Sequence, residues 1–266
     1  MPITSQLSLN PIRQQEFAQL DYVVMHHAFE CQNQLGRLCD EQIYQNDLAA
    51  RLEAADVPVR TEVPVTVTCR DFTKTYYLDL VVANAGIYEL KTSLSLVGEH
   101  DAQLLNYLFL REANHGKLVN FRPAQVESRF INTTLTLQER RHFEVQTRAW
   151  QERDQTERIC RENVIAMLED WGCWLDVALY TEALIHFAGG ETQVVQLVPL
   201  VRSNVSLGKQ HFNLLNAETA FRVTALTEGM EDYQRHLRCL LGASPLRAIQ
   251  WVNLARKRVQ FTSLIR

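Results

Sequence analysis

The stretch YLDLVVANAGIYELKTS, residues 77–93, is two short apolar runs separated by Asn84-Ala85-Gly86, and inside those runs stand Asp79, Glu89 and Lys91. The runs have the composition of strands at the centre of a sheet. An ionised group buried there without a partner is strongly disfavoured, so three charges on adjacent strands must pair, hold a cation or line a cleft. Side chains alternate along a strand, which puts Glu89 and Lys91 on one face. A hairpin closed through the loop Asn84-Ala85-Gly86, with Gly86 in the left-handed position, would set Asp79 opposite Lys91 and gather all three charges on that face. A two-residue loop would send Asp79 to the other side.

Two neighbouring carboxylates repel, and Lys91 alone offers one positive charge against two. A divalent cation, Mg²⁺ or Mn²⁺, resolves the imbalance, because it takes oxygen ligands of the kind that Asp79, Glu89 and the carbonyl of Leu90 supply. Lys91 would then orient or deprotonate an attacking water.

On the N-terminal side, Phe17, Leu20, Val24, Ala28 and Cys31 recur at helical spacing between about Ile12 and Gln34, and a second helix through CDEQIYQNDLAARLEAAD ends before Val57-Pro58. VRTEVPVTVTC reads as a strand ahead of TYYLDLVV and GIYELKT. On the C-terminal side GEHDAQLLNYLFLREANHG has helical period, with Gly116 expected as its C-cap, and KLVNF is a short strand. The order is helix, helix, three strands, helix, strand.

The 266 residues and 46% apolar content suffice for one large domain or two ordinary ones. No apolar run is long enough to cross a bilayer, and MPITSQLSLNPIRQQEF lacks the pattern of a signal peptide, so a cytoplasmic address without membrane contact is expected. Six cysteines without a C-x-x-C pair argue against zinc and disulfide scaffolds. The net charge of −4 is uneven. Arg140, Arg141 and Arg148 fall in one Arg-rich region, and the stretch from Cys239 to Arg266 has no acid but carries Arg256, Lys257 and Arg258, so both are candidate nucleic-acid contacts.

QWVNL at 250–254 echoes KLVNF at 117–121, an offset of 133. The same offset lays AFRVTAL on IYELKTS and the helix from Tyr233 on the helix from His100, and offsets of 135 or 136 lay LVPLV on EVPVT and ALYTEALIHF on QIYQNDLAAR. An internal duplication is expected. Where the first half has Glu89 and Lys91 the second has Arg222 and Thr224, and near Asp79's position lie Phe212 and Asn213, none of them a plausible Mg²⁺ ligand set. The layout predicted is a first domain at 1–135, a helical linker at 136–170, and at 171–266 a degenerate repeat without the metal site, the two forming an intramolecular pseudo-dimer.

These residues resemble the PD-(D/E)xK nuclease superfamily and, within it, the GxxExxY proteins. The resemblance covers about Phe29 to Arg129. YYLDLVV and YELKTS are similar to the family's metal-binding strands, Glu41 and Tyr44 match the E-x-x-Y part of the motif, and Leu38 stands where its glycine would be. Gln103 and Tyr107, four apart on one helix face, resemble the QxxxY motif of the exonuclease-like branch. The resemblance implies an α/β restriction-endonuclease-like mixed sheet flanked by helices, and adds Glu41, Gln103 and Tyr107 to the catalytic set of Asp79, Glu89 and Lys91. Two classes stay open: a metal-dependent nuclease acting on DNA ahead of RNA, and a non-catalytic nucleic-acid-binding or assembly protein that keeps the fold.

Overall fold

The computed structural model describes residues 2–266, in two compact units: residues up to Thr68 with Thr73–Thr136, and Cys69–Phe72 with Leu137–Arg266. The first unit opens with a short strand β1 (Ile3–Thr4) and the helices α1 (Gln14–Leu35) and α2 (Glu41–Ala54), followed by β2 (Val59–Cys69), β3 (Phe72–Val82) and β4 (Gly86–Lys91), then α3 (Gly98–Arg111), β5 (His115–Asn120) and β6 (Glu127–Asn132). Its sheet runs β1-β2-β3-β4-β5-β6. The α3 crossover makes β4 and β5 the parallel pair. Residues 87–90 and 116–121 are buried throughout, as expected of central strands covered on both faces. Phe17, Val24, Ala28 and Cys31 of α1 and Tyr44, Leu48 and Leu52 of α2 pack with Leu80, Tyr88, Leu90 and Val119 in one core.

The second unit holds α4 (Leu137–Arg140), β7 (Glu144–Ala149), α5 (Gln155–Trp171), α6 (Val177–Phe187), α7 (Glu191–Val194), β8 (Val195–Arg202), β9 (Val205–Asn216), β10 (Thr219–Thr224), α8 (Met230–Ala243), β11 (Ala248–Ala255) and β12 (Arg258–Ile265). Its sheet order is β7-β12-β11-β10-β9-β8, again with one crossover helix, α8, making the central parallel pair. From α5 onward it repeats the order of the first unit, two helices, three strands, a helix and two strands, with the four-residue α7 inserted before β8.

The repetition extends to single hydrogen bonds. Gly36 (φ 72°) ends α1 and Gly172 (φ 77°) ends α5. The buried Tyr44 hydroxyl donates to the Gly36 carbonyl at 2.7 Å, and the Tyr180 hydroxyl donates to that of Gly172. Buried Asn120 accepts from the Ser93 N–H (3.1 Å) and donates to the Ser93 carbonyl (2.8 Å); buried Asn253 accepts from the Leu226 N–H (2.8 Å) and donates to the Leu226 carbonyl (3.0 Å). Ile87 pairs with Gly116 and Ala220 with Ile249, the same 133-residue offset found in the sequence. A side-chain amide that satisfies both backbone groups of one loop residue requires that loop in one conformation.

Three expectations need correction. The stretch 136–170 is not a helical linker: it carries β7 and α5, and α5 buries Cys160, Val164, Met167, Leu168 and Trp171 as α1 buries its own apolar face. Every side chain of β7 is exposed, so this edge strand lacks the alternating apolar pattern that reveals a half-buried strand. Second, the β3–β4 turn lies one residue earlier than expected. Ala83 and Asn84 are left-handed (φ 54° and 50°), the Ala85 N–H bonds the Val82 carbonyl, and Val82 pairs with Gly86, so continuing the register sets Asp79 across from Glu89 rather than Lys91. A slip of two keeps the same face. Third, α3 ends at Arg111 with Glu112 in the left-handed cap, and Gly116 lies inside β5.

Both misread glycines serve close packing. A Cβ on Gly86 would come within 2.9 Å of the Tyr88 ring and 3.1 and 3.2 Å of Leu20 and Phe17. One on Gly116 would meet Leu104, Leu108 and the Ile87 carbonyl at 3.1 to 3.2 Å. Gly86→Ala is therefore expected to destabilise the protein by about 1–3 kcal/mol through overpacking, whereas Asn84→Gly, at a left-handed turn position, should stay within about 0.5 kcal/mol of wild type. Urea denaturation of the two variants reads the contrast.

Candidate metal centre

The register of β3 against β4 brings the strand carboxylates together. Glu89 is 1% exposed, and Asp79 is half-buried. Asp79 Oδ2 accepts the backbone N–H of Leu90 at 2.7 Å. Lys91 Nζ lies 2.7 Å from Glu89 Oε1 and 3.9 Å from Glu41 Oε1. Glu89 Oε2 is buried and has no hydrogen-bond partner. A buried carboxylate oxygen without a donor is rare in folded proteins and points to a group that binds there.

Burial, reinforced by the Asp79 charge and opposed by Lys91, pushes the Glu89 carboxyl up to about 8. Burial likewise raises Asp79 to about 6 against its bond to Leu90 and the nearby Lys91, with Glu41 and Glu62 adding to the rise. Burial works against the Lys91 ammonium, but Glu89, Asp79 and Glu41 together hold its pKa above the ordinary lysine value. Glu41, the first residue of α2, is also raised, chiefly by burial. Carboxyl groups crowded in this way lack positive charge, and Lys91 supplies only one.

On α3, Gln103 Nε2 donates to the Tyr107 hydroxyl at 3.1 Å. Burial raises Tyr107 to about 12, with Glu89 the next contribution, so this pair borders the carboxylates. Tyr44 is fully buried and stacks on Phe121 with ring centroids 4.4 Å apart. Its hydroxyl, bonded to Gly36 and Cys39, closes the α1–α2 turn that presents Glu41. The turn glycine is Gly36, two residues before Leu38.

Two further residues reach the cluster. Gln45, four after Glu41 on α2 and 3% exposed, donates from Nε2 to both the Asp79 carbonyl and Glu62 Oε1, each at 2.9 Å. Its helical spacing from Glu41 is the signal that could have found it. Glu62 has a left-handed backbone (φ 48°) inside β2, a local distortion that strand periodicity does not reveal.

The all-oxygen donor set of Asp79, Glu89 and the Leu90 carbonyl suits Mg²⁺ or Mn²⁺ better than softer ions. Among the described residues, the trio of potential ligands whose atoms converge within 4.8 Å is a different one, His26, His27 and Glu30 on α1. Glu30 there is already 3.6 Å from Arg51, and His26 is exposed.

The basic candidates separate. Arg140 is 1% exposed, and its Nη1 donates to the carbonyls of Trp171 (2.9 Å) and Cys173 (3.3 Å), so it is a structural residue and does not face nucleic acid. Arg141, Arg148, Arg256, Lys257 and Arg258 are exposed. In the second unit the positions of the cluster hold Arg222, exposed and bonded to Tyr233, and Thr224, bonded to Asn253. Phe221 pairs with Asn213, which sets Phe212 across from Arg222 where Asp79 faces Glu89.

Residues 18–132 match the model of a family described as the PD-(D/E)XK nuclease superfamily. The match takes in Glu41, Asp79, Glu89, Lys91, Gln103 and Tyr107, spans less than half of the chain and leaves Leu137–Arg266 outside it. The first unit is thereby similar to metal-dependent nucleases. Comparisons with curated proteins and with solved structures give no match.

The raised carboxyls fix a pH dependence. Unfolded Glu and Asp lose their protons near 4.5 and 3.8, whereas folded Glu89 and Asp79 keep theirs to about 8 and about 6. The folded state then binds more protons across that window, so these groups make metal-free stability fall as pH rises from about 4 to about 8. Glu89→Gln should flatten most of this fall in urea titrations with EDTA between pH 5 and 9. In wild type, Mg²⁺ or Mn²⁺ affinity should rise over the same interval, with proton release on binding.

Proposed function

We propose that the protein is a metal-dependent nuclease that hydrolyses phosphodiester bonds, with DNA as the substrate ahead of RNA. The observation that carries this reading is the buried, unpartnered Glu89 oxygen beside Asp79 and Lys91, within the segment that matches a nuclease superfamily. Asp79, Glu89 and the Leu90 carbonyl would hold Mg²⁺ or Mn²⁺. When bound, such an ion neutralises the carboxylates and stabilises negative charge developing on the phosphate.

The chain's own groups take the remaining roles. Lys91, tied to Glu89, near Glu41 and kept as the ammonium by these carboxylates, donates to and positions the attacking water. Gln45 holds the Asp79 backbone and so sets the angle at which that carboxylate faces Glu89. Gln103 and Tyr107 border the reacting phosphate from α3. The resemblance to GxxExxY proteins rests on Glu41 and Tyr44, with Tyr44 shaping the turn that presents Glu41. The second unit reads as a duplicated copy that kept the fold and lost the metal ligands, a reading supported by the matching Tyr–Gly and Asn–loop hydrogen bonds.

A second reading, a nucleic-acid-binding protein without turnover, draws on the close Lys91–Glu89 pair, which already neutralises one carboxylate. Calorimetry separates the two: Asp79-dependent Mg²⁺ or Mn²⁺ binding belongs to the nuclease, and no binding at millimolar metal to the binder. Incubation with linear, circular and single-stranded DNA should give cleavage that Asp79→Ala and Lys91→Ala reduce by about 10²–10⁴-fold or more, and that Gln45→Ala reduces by about 10–100-fold. Cleavage surviving both of the first two substitutions would remove this site from the reaction.

A further inference from the structure

The second unit differs from the first in one coherent way besides its missing ligands. Its β11 and β12 are eight residues each against six for β5 and β6, and β7 is added beside β12 in parallel. These additions line a cleft of about 860 Å³. Arg141 and Phe143 reach it from the α4–β7 connection, and Arg256, Lys257 and Arg258 from the lengthened β11–β12 hairpin. Two acids, Glu144 and Glu228, also line it.

The four cations are exposed, and among the described residues none has a carboxylate within 4.0 Å. Arg256 occupies a left-handed turn position (φ 55°), where glycine or asparagine is usual, and its guanidinium lies 5.8 Å from the centre of the Trp174 ring. Arg141 donates to the Asp170 carbonyl, which leaves its charge uncompensated. Clustering cations without carboxylate partners in one concave surface of a protein with net charge −4 is unfavourable in isolation and favours an extended anion. Phe143, half-buried in the lining, adds a ring on which a base can stack.

We propose that this cleft is a metal-independent binding site for the phosphodiester backbone of nucleic acid, so that the second copy exchanged a metal site for a basic groove. The inference rests on the nuclease reading only for the identity of the polyanion. Lysine and arginine contacts to phosphates release counterions, and binding through this groove therefore weakens steeply with salt.

The test is fluorescence anisotropy in EDTA, with labelled single-stranded and duplex DNA, at several salt concentrations. Replacing Arg256, Lys257 and Arg258 together with Ser should weaken binding tenfold or more and make the salt slope shallower by about two to three units. Lys257→Glu alone, in the exposed turn, should weaken it at least threefold without altering the circular dichroism spectrum. A control carrying Arg158→Ser, Lys209→Ser and Arg235→Ser makes the same change in net charge elsewhere and should bind like wild type. Unchanged affinity and slope in the hairpin variants on both DNAs, or an equal loss in the control, would overturn the proposal. Cleavage that depends on Asp79, with binding indifferent to the hairpin, would sink the groove and leave the nuclease reading standing; hairpin-dependent binding without cleavage under any metal would do the reverse.

Discussion

Everything the first unit offers chemically depends on the register between β3 and β4. The left-handed pair Ala83 and Asn84 closes the Val82–Gly86 hairpin, and that closure sets Asp79 across from Glu89. A slip of one residue would turn one carboxylate away and destroy the cluster. The register is held by packing as well as by the turn, because Gly86 lets Tyr88, Phe17 and Leu20 approach its backbone closely. The Leu90 N–H then fixes the Asp79 carboxylate, and Gln45 fixes the Asp79 carbonyl from the adjoining helix. Backbone and side chain of one aspartate are thus held from two elements before any ligand arrives.

The second unit shows what the same frame does without those charges. Its parallel pair keeps the register of the first, and Asn253 keeps the role of Asn120 at the loop after the third strand of the repeat. Arg222 replaces a carboxylate that is almost wholly buried with a cation that is exposed. Phe212, at the position matching Asp79, packs in the apolar core. The fold tolerates this because its stability rests on the apolar faces of the strands and helices, and removing a buried charge cluster relieves a desolvation penalty.

The parts legible in the sequence were those with a periodic or compositional signature. The central strands are continuous apolar runs, α1 and α2 have helical spacing, and the likeness of the two halves shows as short echoes at a nearly constant offset. The same-face placement of Asp79, Glu89 and Lys91 was legible because alternation along a strand is strict. What escaped had no such signature. Edge strand β7 buries no side chain, Glu62 departs from strand geometry, and Arg140 looks like any surface arginine until its carbonyl partners are seen. Gly86 and Gly116 look in the sequence like a turn residue and a helix cap, whereas in the fold each lies where side chains or a neighbouring strand come close.

By itself the sequence determined the class of fold, the doubling of that fold along the chain, and which residues carry charge inside it, because these follow from local periodicity and side-chain chemistry. Only the tertiary structure decided that Glu89 is sealed from water with an oxygen unpartnered, that Gln45 braces Asp79, and that Arg141 shares a cleft with Arg256, Lys257 and Arg258. Burial and proximity between residues more than a hundred positions apart are properties of packing, and no pattern within a single element encodes them.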